Sequence, residues 1–136
     1  MRLPLTGQCL CGAVQYQIND VPKKMGICHC RACQRFTGSG YWPFLVVSAD
    51  DLKVTGHVSE YQGIGSSGKK IYRLFCTQCG SSLFGRPDLW PDIRIVSASS
   101  LDDPAQFKPE FTVWTEEAQP WDCVNPKVQQ FLRNPA

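Results

Sequence analysis

Apolar and polar positions alternate with period two along much of this chain. In 13–18, Val14, Tyr16 and Ile18 share one side and Gln15 and Gln17 the other, the pattern of a half-buried strand. The segment 41–48 is a mostly apolar run, and 52–55 and 58–62 continue the strand pattern. Gly63-Ile64-Gly65-Ser66-Ser67-Gly68 then reads as a hairpin loop leading into a strand at 71–75. Further strands are predicted at 82–84, 93–98 and 111–115. Helix is scarce: one short turn over 30–36, and a C-terminal helix opened by Asn125 as N-cap with Pro126 at its first position, running through Leu132. The expectation is a mainly β fold of several small sheets with a short C-terminal helix, in one domain over residues 1–136.

Composition adds one unusual feature. Of 136 residues, 43% are apolar, enough for a core of ordinary size, yet eight are cysteine. No long apolar run marks a signal peptide or a membrane span, which predicts a soluble, cytoplasmic protein whose thiols stay reduced. Under those conditions closely spaced cysteines read as metal ligands or catalytic thiols rather than as a disulfide framework. The formal charge of +2 has no block of one sign, so neither a membrane surface nor a nucleic acid is an expected partner. Lys69, Lys70 and Arg73 with Tyr72 make only a small basic hairpin, the solvated side of a strand.

The cysteines fall into clusters. Cys9 and Cys11 point the same way in an extended chain and can share one ion. Cys76-Thr77-Gln78-Cys79-Gly80 has the form of a zinc knuckle, with a glycine where the turn needs positive φ. Together these four predict a closed, structural zinc site. The second constellation, Cys28-His29-Cys30-Arg31-Ala32-Cys33, overlaps C-x-C with C-x-x-C and supplies three thiolates. His29 lies between two same-facing cysteines and should point to the opposite side. Three protein ligands with an open fourth position predict a reactive zinc. Its three thiolates make it a weak activator of water and suit it to capturing an outside thiol as thiolate, the nucleophilic form. Cys28, Cys30 and Cys33 are therefore the candidate catalytic residues. Arg31 and Arg35 are candidates for offsetting the site's negative charge or binding a substrate carboxylate, with a solvated helix face as the alternative. A second alternative closes this site with Cys123 or Asp122 as fourth ligand.

Three segments carry a family resemblance. Gly7-Gln8-Cys9-Leu10-Cys11-Gly12-Ala13-Val14, then Cys28-His29-Cys30-Arg31-Ala32-Cys33-Gln34-Arg35 followed by Thr37-Gly38, then Phe75-Cys76-Thr77-Gln78-Cys79-Gly80-Ser81 resemble the signature of the glutathione-dependent formaldehyde-activating enzyme family, whose domain also occurs in centromere protein V. The resemblance implies a structural zinc on Cys9, Cys11, Cys76 and Cys79 and a reactive zinc on Cys28, Cys30 and Cys33. It implies glutathione and a small aldehyde as partners, and condensation to S-hydroxymethylglutathione, a carbon-sulfur lyase activity. Family members often carry a histidine in the late strand where this chain has Thr112.

A non-catalytic zinc domain that serves a protein partner is the rival reading. Trp42, Trp90, Trp114 and Trp121 are expected to fill the core or wall a cleft, and His57 to lie on the surface. Counting seven thiolates and two divalent ions turns the formal charge of +2 into about −1, so attraction for an anionic thiol must come from local arginines.

Overall fold

Two sheets take up the alternating segments. The computed structural model describes residues 1–135. Along the chain run β1 (Leu5–Gln8), β2 (Gln15–Ile18), β3 (Lys24–Cys28), α1 (Arg31–Thr37), β4 (Trp42–Ser48), β5 (Leu52–Thr55), β6 (Val58–Ile64), β7 (Lys70–Cys76), β8 (Ser82–Pro87), β9 (Ile93–Ser97), β10 (Phe111–Val113) and β11 (Gln129–Gln130), with short 3-10 turns between some of them. A three-stranded sheet has the order β1-β2-β5, and an eight-stranded sheet the order β11-β10-β3-β4-β9-β8-β7-β6. The large sheet is antiparallel except at β10, which runs parallel to both β3 and β11. The fold is thus mainly β with one α-helix among the described residues.

The apolar run 42–48 becomes β4 because both faces of the large sheet are covered there. Leu45 and Val47 face a core shared with the small sheet, where Leu5, Tyr16 and Ile18 pack against Leu83, Phe84 and Val96. Trp42, Phe44 and Val46 face a second, more aromatic cluster that holds Cys28, Cys33 and Val113. Edge-to-face contacts run through it, from Phe36 on Trp42 at 5.3 Å between ring centres to Phe44 on Phe111 at 5.9 Å. The two cysteine clusters therefore lie on opposite faces of the large sheet.

The predicted C-terminal helix does not form. The Asn125 side chain accepts the Lys127 amide at 2.9 Å in a local turn, so the residue that reads as a helix cap caps a turn instead. The chain then runs extended beside β10: the Phe131 amide donates to the Thr112 carbonyl at 2.9 Å and the Trp114 amide to the Arg133 carbonyl at 3.2 Å. Phe131 packs on Phe111 with ring centres 6.5 Å apart. Sheet pairing and this aromatic contact outweigh a helix too short to be stable by itself. The tryptophans divide as well: Trp42 is core and Trp114 half-buried, whereas Trp90 and Trp121 stand in solvent at 58% and 72% exposure. His57 is exposed.

Candidate functional site

The first cysteine cluster sits where the small sheet meets the end of β7. Gly12, with φ of 79°, turns the chain after Cys11, and its amide donates to the Cys9 carbonyl at 3.2 Å. On the other side, Gly80 has φ of 77° and its amide donates to the Cys76 carbonyl at 2.9 Å. The amides of Val14, Gln78 and Cys79 point at the Cys9 and Cys76 sulfurs from 3.2 to 3.4 Å. The Ser81 hydroxyl and then its amide hold the Cys79 thiol down to about 5. The sulfurs of Cys9, Cys11, Cys76 and Cys79 all lie within 4.8 Å of one another, with Cys9 to Cys11 at 3.6 Å and Cys11 to Cys76 at 3.8 Å. Four sulfurs at about 2.3 Å from a tetrahedral zinc are spaced by ~3.8 Å, so this donor set fits such an ion.

The second cluster is built from one short stretch. Cys28 ends β3, Cys30 is the N-cap of α1, and Cys33 lies in its first turn, so a strand end, a cap and a helix turn converge. Their sulfurs also lie within 4.8 Å of one another. Cys28 and Cys33 are buried and Cys30 is half-exposed. The Cys30 sulfur accepts from the Cys28 and Cys33 thiols; its own burial works the other way, and the Cys33 amide and the charge of Arg73 add to the lowering, which reaches about 2. Cys28, which donates to Cys30 and Cys33 and is buried, is pushed up. Three sulfurs this close oppose one another's ionisation, and a soft divalent cation is what would let all three ionise.

Neither alternative fourth ligand joins this group. Cys123 is exposed and outside it. Asp122 turns to His29 instead, with Oδ2 3.1 Å from Nδ1. His29 is 1% exposed and its ring lies 5.7 Å from that of Tyr41, so its side chain leaves the sulfurs on either side of it. Gly40 makes room for this pair, since a Cβ there would stand 2.7 Å from Asp122 Oδ2. Thr112 is fully buried, and because Phe111 and Val113 pack beside the cysteines, it faces the other side of the sheet.

The two arginines of the motif have different surroundings. Arg31 gives its amide to Glu117 at 3.0 Å and its guanidinium to the Gln34 side chain. Arg35 is exposed and lines a groove of about 960 Å3 that also borders Tyr41, Ser81 and Ser99. Cys9 and Cys79 contribute to that groove, and none of Cys28, Cys30 and Cys33 does. The cation at the three-cysteine cluster is Arg73, whose Nη1 is 3.7 Å from the Cys33 sulfur. Gln34 is the other residue the motifs did not mark out: its amide nitrogen donates to the carbonyls of His29 at 2.7 Å and Glu117 at 2.9 Å, tying α1 to the late loop.

A mainly β scaffold with a four-thiol and a three-thiol cluster on opposite faces of one sheet defines a cysteine-rich protein suited to two soft divalent ions. The chain belongs to the glutathione-dependent formaldehyde-activating enzyme family, which residues 4–117 match. A relative in Halomonas elongata, named "Putative glutathione-dependent formaldehyde-activating enzyme", is 34% identical over 114 residues, 78% of this chain and 71% of that protein. An uncharacterized lyase of Schizosaccharomyces pombe is 27% identical over 78 residues, 57% of this chain and 54% of that protein. The fold matches a crystal structure of a Rhodobacter sphaeroides protein with a TM-score of 0.60 and 21% identity, covering 93% of this chain and 98% of that one. No helix among the described residues is long and apolar enough to cross a membrane.

Proposed function

We propose that this chain adds a small thiol, glutathione, to formaldehyde or a related small aldehyde, and reverses that addition, as a carbon-sulfur lyase. The observation that carries the reading is the three-sulfur group of Cys28, Cys30 and Cys33, which no fourth Cys, His, Asp or Glu among the described residues joins. Those three residues would hold a zinc ion and leave one position for substrate, whereas Cys9, Cys11, Cys76 and Cys79 would hold a second zinc with none. A zinc ion held by these three cysteines would supply the charge that keeps an incoming thiol deprotonated at neutral pH. The sulfur lone pair then forms the C–S bond as the aldehyde C=O π pair moves to oxygen. That oxygen takes one proton, which replaces the one the thiol gave up, so thiol plus aldehyde equals the hydroxymethyl thioether. Phe36, Trp42 and Phe44 pack against the cluster and give it an apolar wall.

The test is the rate at which the zinc-loaded protein interconverts glutathione, formaldehyde and S-hydroxymethylglutathione, read by NMR exchange above the uncatalysed rate. The expected result is acceleration by the wild type, and its loss in Cys33→Ser with one zinc ion retained and the circular dichroism unchanged. A wild type that holds two zinc ions and gives no acceleration returns the chain to a non-catalytic zinc domain.

A further inference from the structure

Three thiolates on a divalent ion leave a charge of about −1, and a fourth thiolate takes it to about −2. Apolar surroundings oppose such a build-up unless a cation stands close. The cluster of Cys28, Cys30 and Cys33 has those surroundings, in Trp42, Phe44, Val113 and Phe36. Of its neighbours in sequence, Arg31 gives its guanidinium to Gln34, and Arg35 is exposed on the groove that runs along the far side of Phe36 and Trp42, whose lining includes none of the three cysteines.

Arg73 reaches the cluster from β7, 40 residues away in sequence. Its guanidinium carbon lies 5.3 Å from the centre of the Phe36 ring and 5.7 Å from that of Trp42, which hold the planar group in place. The residue across from it on β8 is Gly85, where a Cβ would come 3.2 Å from the Trp42 ring, so no β8 side chain competes for that surface. Arg73 is half-buried, and none of the ion pairs among the described residues gives it a carboxylate. A cation in such a place finds its partner in the sulfurs, Cys33 first.

We propose that Arg73 is the positioning residue that makes the three-cysteine site take an anionic sulfur ligand in preference to a neutral one. The inference rests on the thiol-binding reading above and adds what selects the thiol. The guanidinium offsets the charge the fourth sulfur brings, and its rigid stacking keeps that offset from drifting into solvent, which a flexible lysine does less well.

The experiment uses the full chain loaded with two cobalt(II) ions, whose visible bands report ligand changes at tetrahedral thiolate sites. The four-cysteine site is closed, so bands that move on adding a ligand belong to the other. 2-Mercaptoethanol is the thiol probe because it has no carboxylates, and imidazole is the neutral probe. Arg73→Met should bind 2-mercaptoethanol about tenfold more weakly and imidazole as the wild type does. Arg73→Lys, which keeps the charge, should stay within about threefold for both. Equal thiol affinity in wild type and Arg73→Met overturns the role of Arg73, and so does a parallel loss for both ligands, which is what mere structural damage would give. Should Arg73→Met not hold two cobalt ions, Arg73→Gln replaces it with the same expectations. A wild type that binds imidazole but no thiol overturns the thiol-binding reading itself, a result separate from either variant.

Discussion

Ser97 links the aromatic floor of the three-cysteine cluster to the helix beside it. Its hydroxyl accepts the Trp42 indole N–H at 2.6 Å and donates to the Ser82 carbonyl at 2.8 Å, and the Ser82 hydroxyl donates to the Phe36 carbonyl at 2.6 Å. Trp42 and Ser97 are both buried, so Ser97→Ala strands an indole N–H without acceptor, at a cost of about 1–3 kcal/mol. Urea unfolding should show that loss as a lower midpoint with the same slope, against a change within about 0.5 kcal/mol for the exposed Ser99→Ala. Equal midpoints for the two variants would remove Ser97 from the account. Chemistry at this scale is legible in the sequence where partners are near in the chain. The Cys28, Cys30 and Cys33 spacing shows the cluster because strand alternation and one turn suffice to bring three sulfurs together. Arg73 beside Cys33, Asp122 beside His29 and Gln34 beside Glu117 are joined only by the sheet order, over separations of 40 and more residues, and local pattern carries no trace of them.

Elements whose own side chains carry a strand pattern, alternating or continuously apolar, are read well from the sequence, and those whose faces are decided by distant neighbours are not. β5 falls where the pattern puts it, at Leu52–Thr55, and β2, β4 and β9 differ by only one or two residues at an end. β1 and β3 escape because Leu5-Thr6-Gly7-Gln8 and Lys24-Met25-Gly26-Ile27-Cys28 each contain a glycine where a side chain would show the period. Both glycines are placed by packing: a Cβ at Gly7 would collide with the Tyr16 ring, and one at Gly26 would stand 2.6 Å from Phe111 and 2.9 Å from Phe44. Gly26→Ala should therefore overpack the junction of β3, β4 and β10 at a cost of about 1–3 kcal/mol, measured by denaturant midpoint. Adding Phe111→Leu should recover part of the loss by vacating the space the new methyl needs. If Gly26→Ala is neutral, or Phe111→Leu worsens it by the full cost it has alone, the two side chains are not in competition.

At the scale of the whole molecule, the two cysteine clusters close loops of very different size. Cys11 and Cys76 are 65 residues apart and join the small sheet to the end of β7 across the main core, whereas the other three cysteines lie within one turn of chain between β3 and α1. Loop-closure entropy grows as the logarithm of length, so a metal on the four-cysteine cluster constrains the unfolded chain by about 2 kcal/mol more than one on the three-cysteine cluster. The four-cysteine cluster also lies at the seam between sheets: Cys9 and Cys76 are 2% and 1% exposed, while Cys11 is exposed and Cys79 half-buried, so two sulfurs deprived of an ion there leave a charged or hydrogen-bond-poor pair in the core. The other cluster offers an ion three sulfurs instead of four, so it holds one less firmly. A zinc-loaded protein titrated with a chelator should accordingly give up one equivalent with little change in melting temperature and the second only together with loss of tertiary structure. Cys76→Ser should lower the melting temperature far more than Cys33→Ser, each variant retaining one ion. Equal melting losses in the two variants, or simultaneous release of both ions from a folded wild type, would mean that the clusters do not divide into a structural and an exchangeable site.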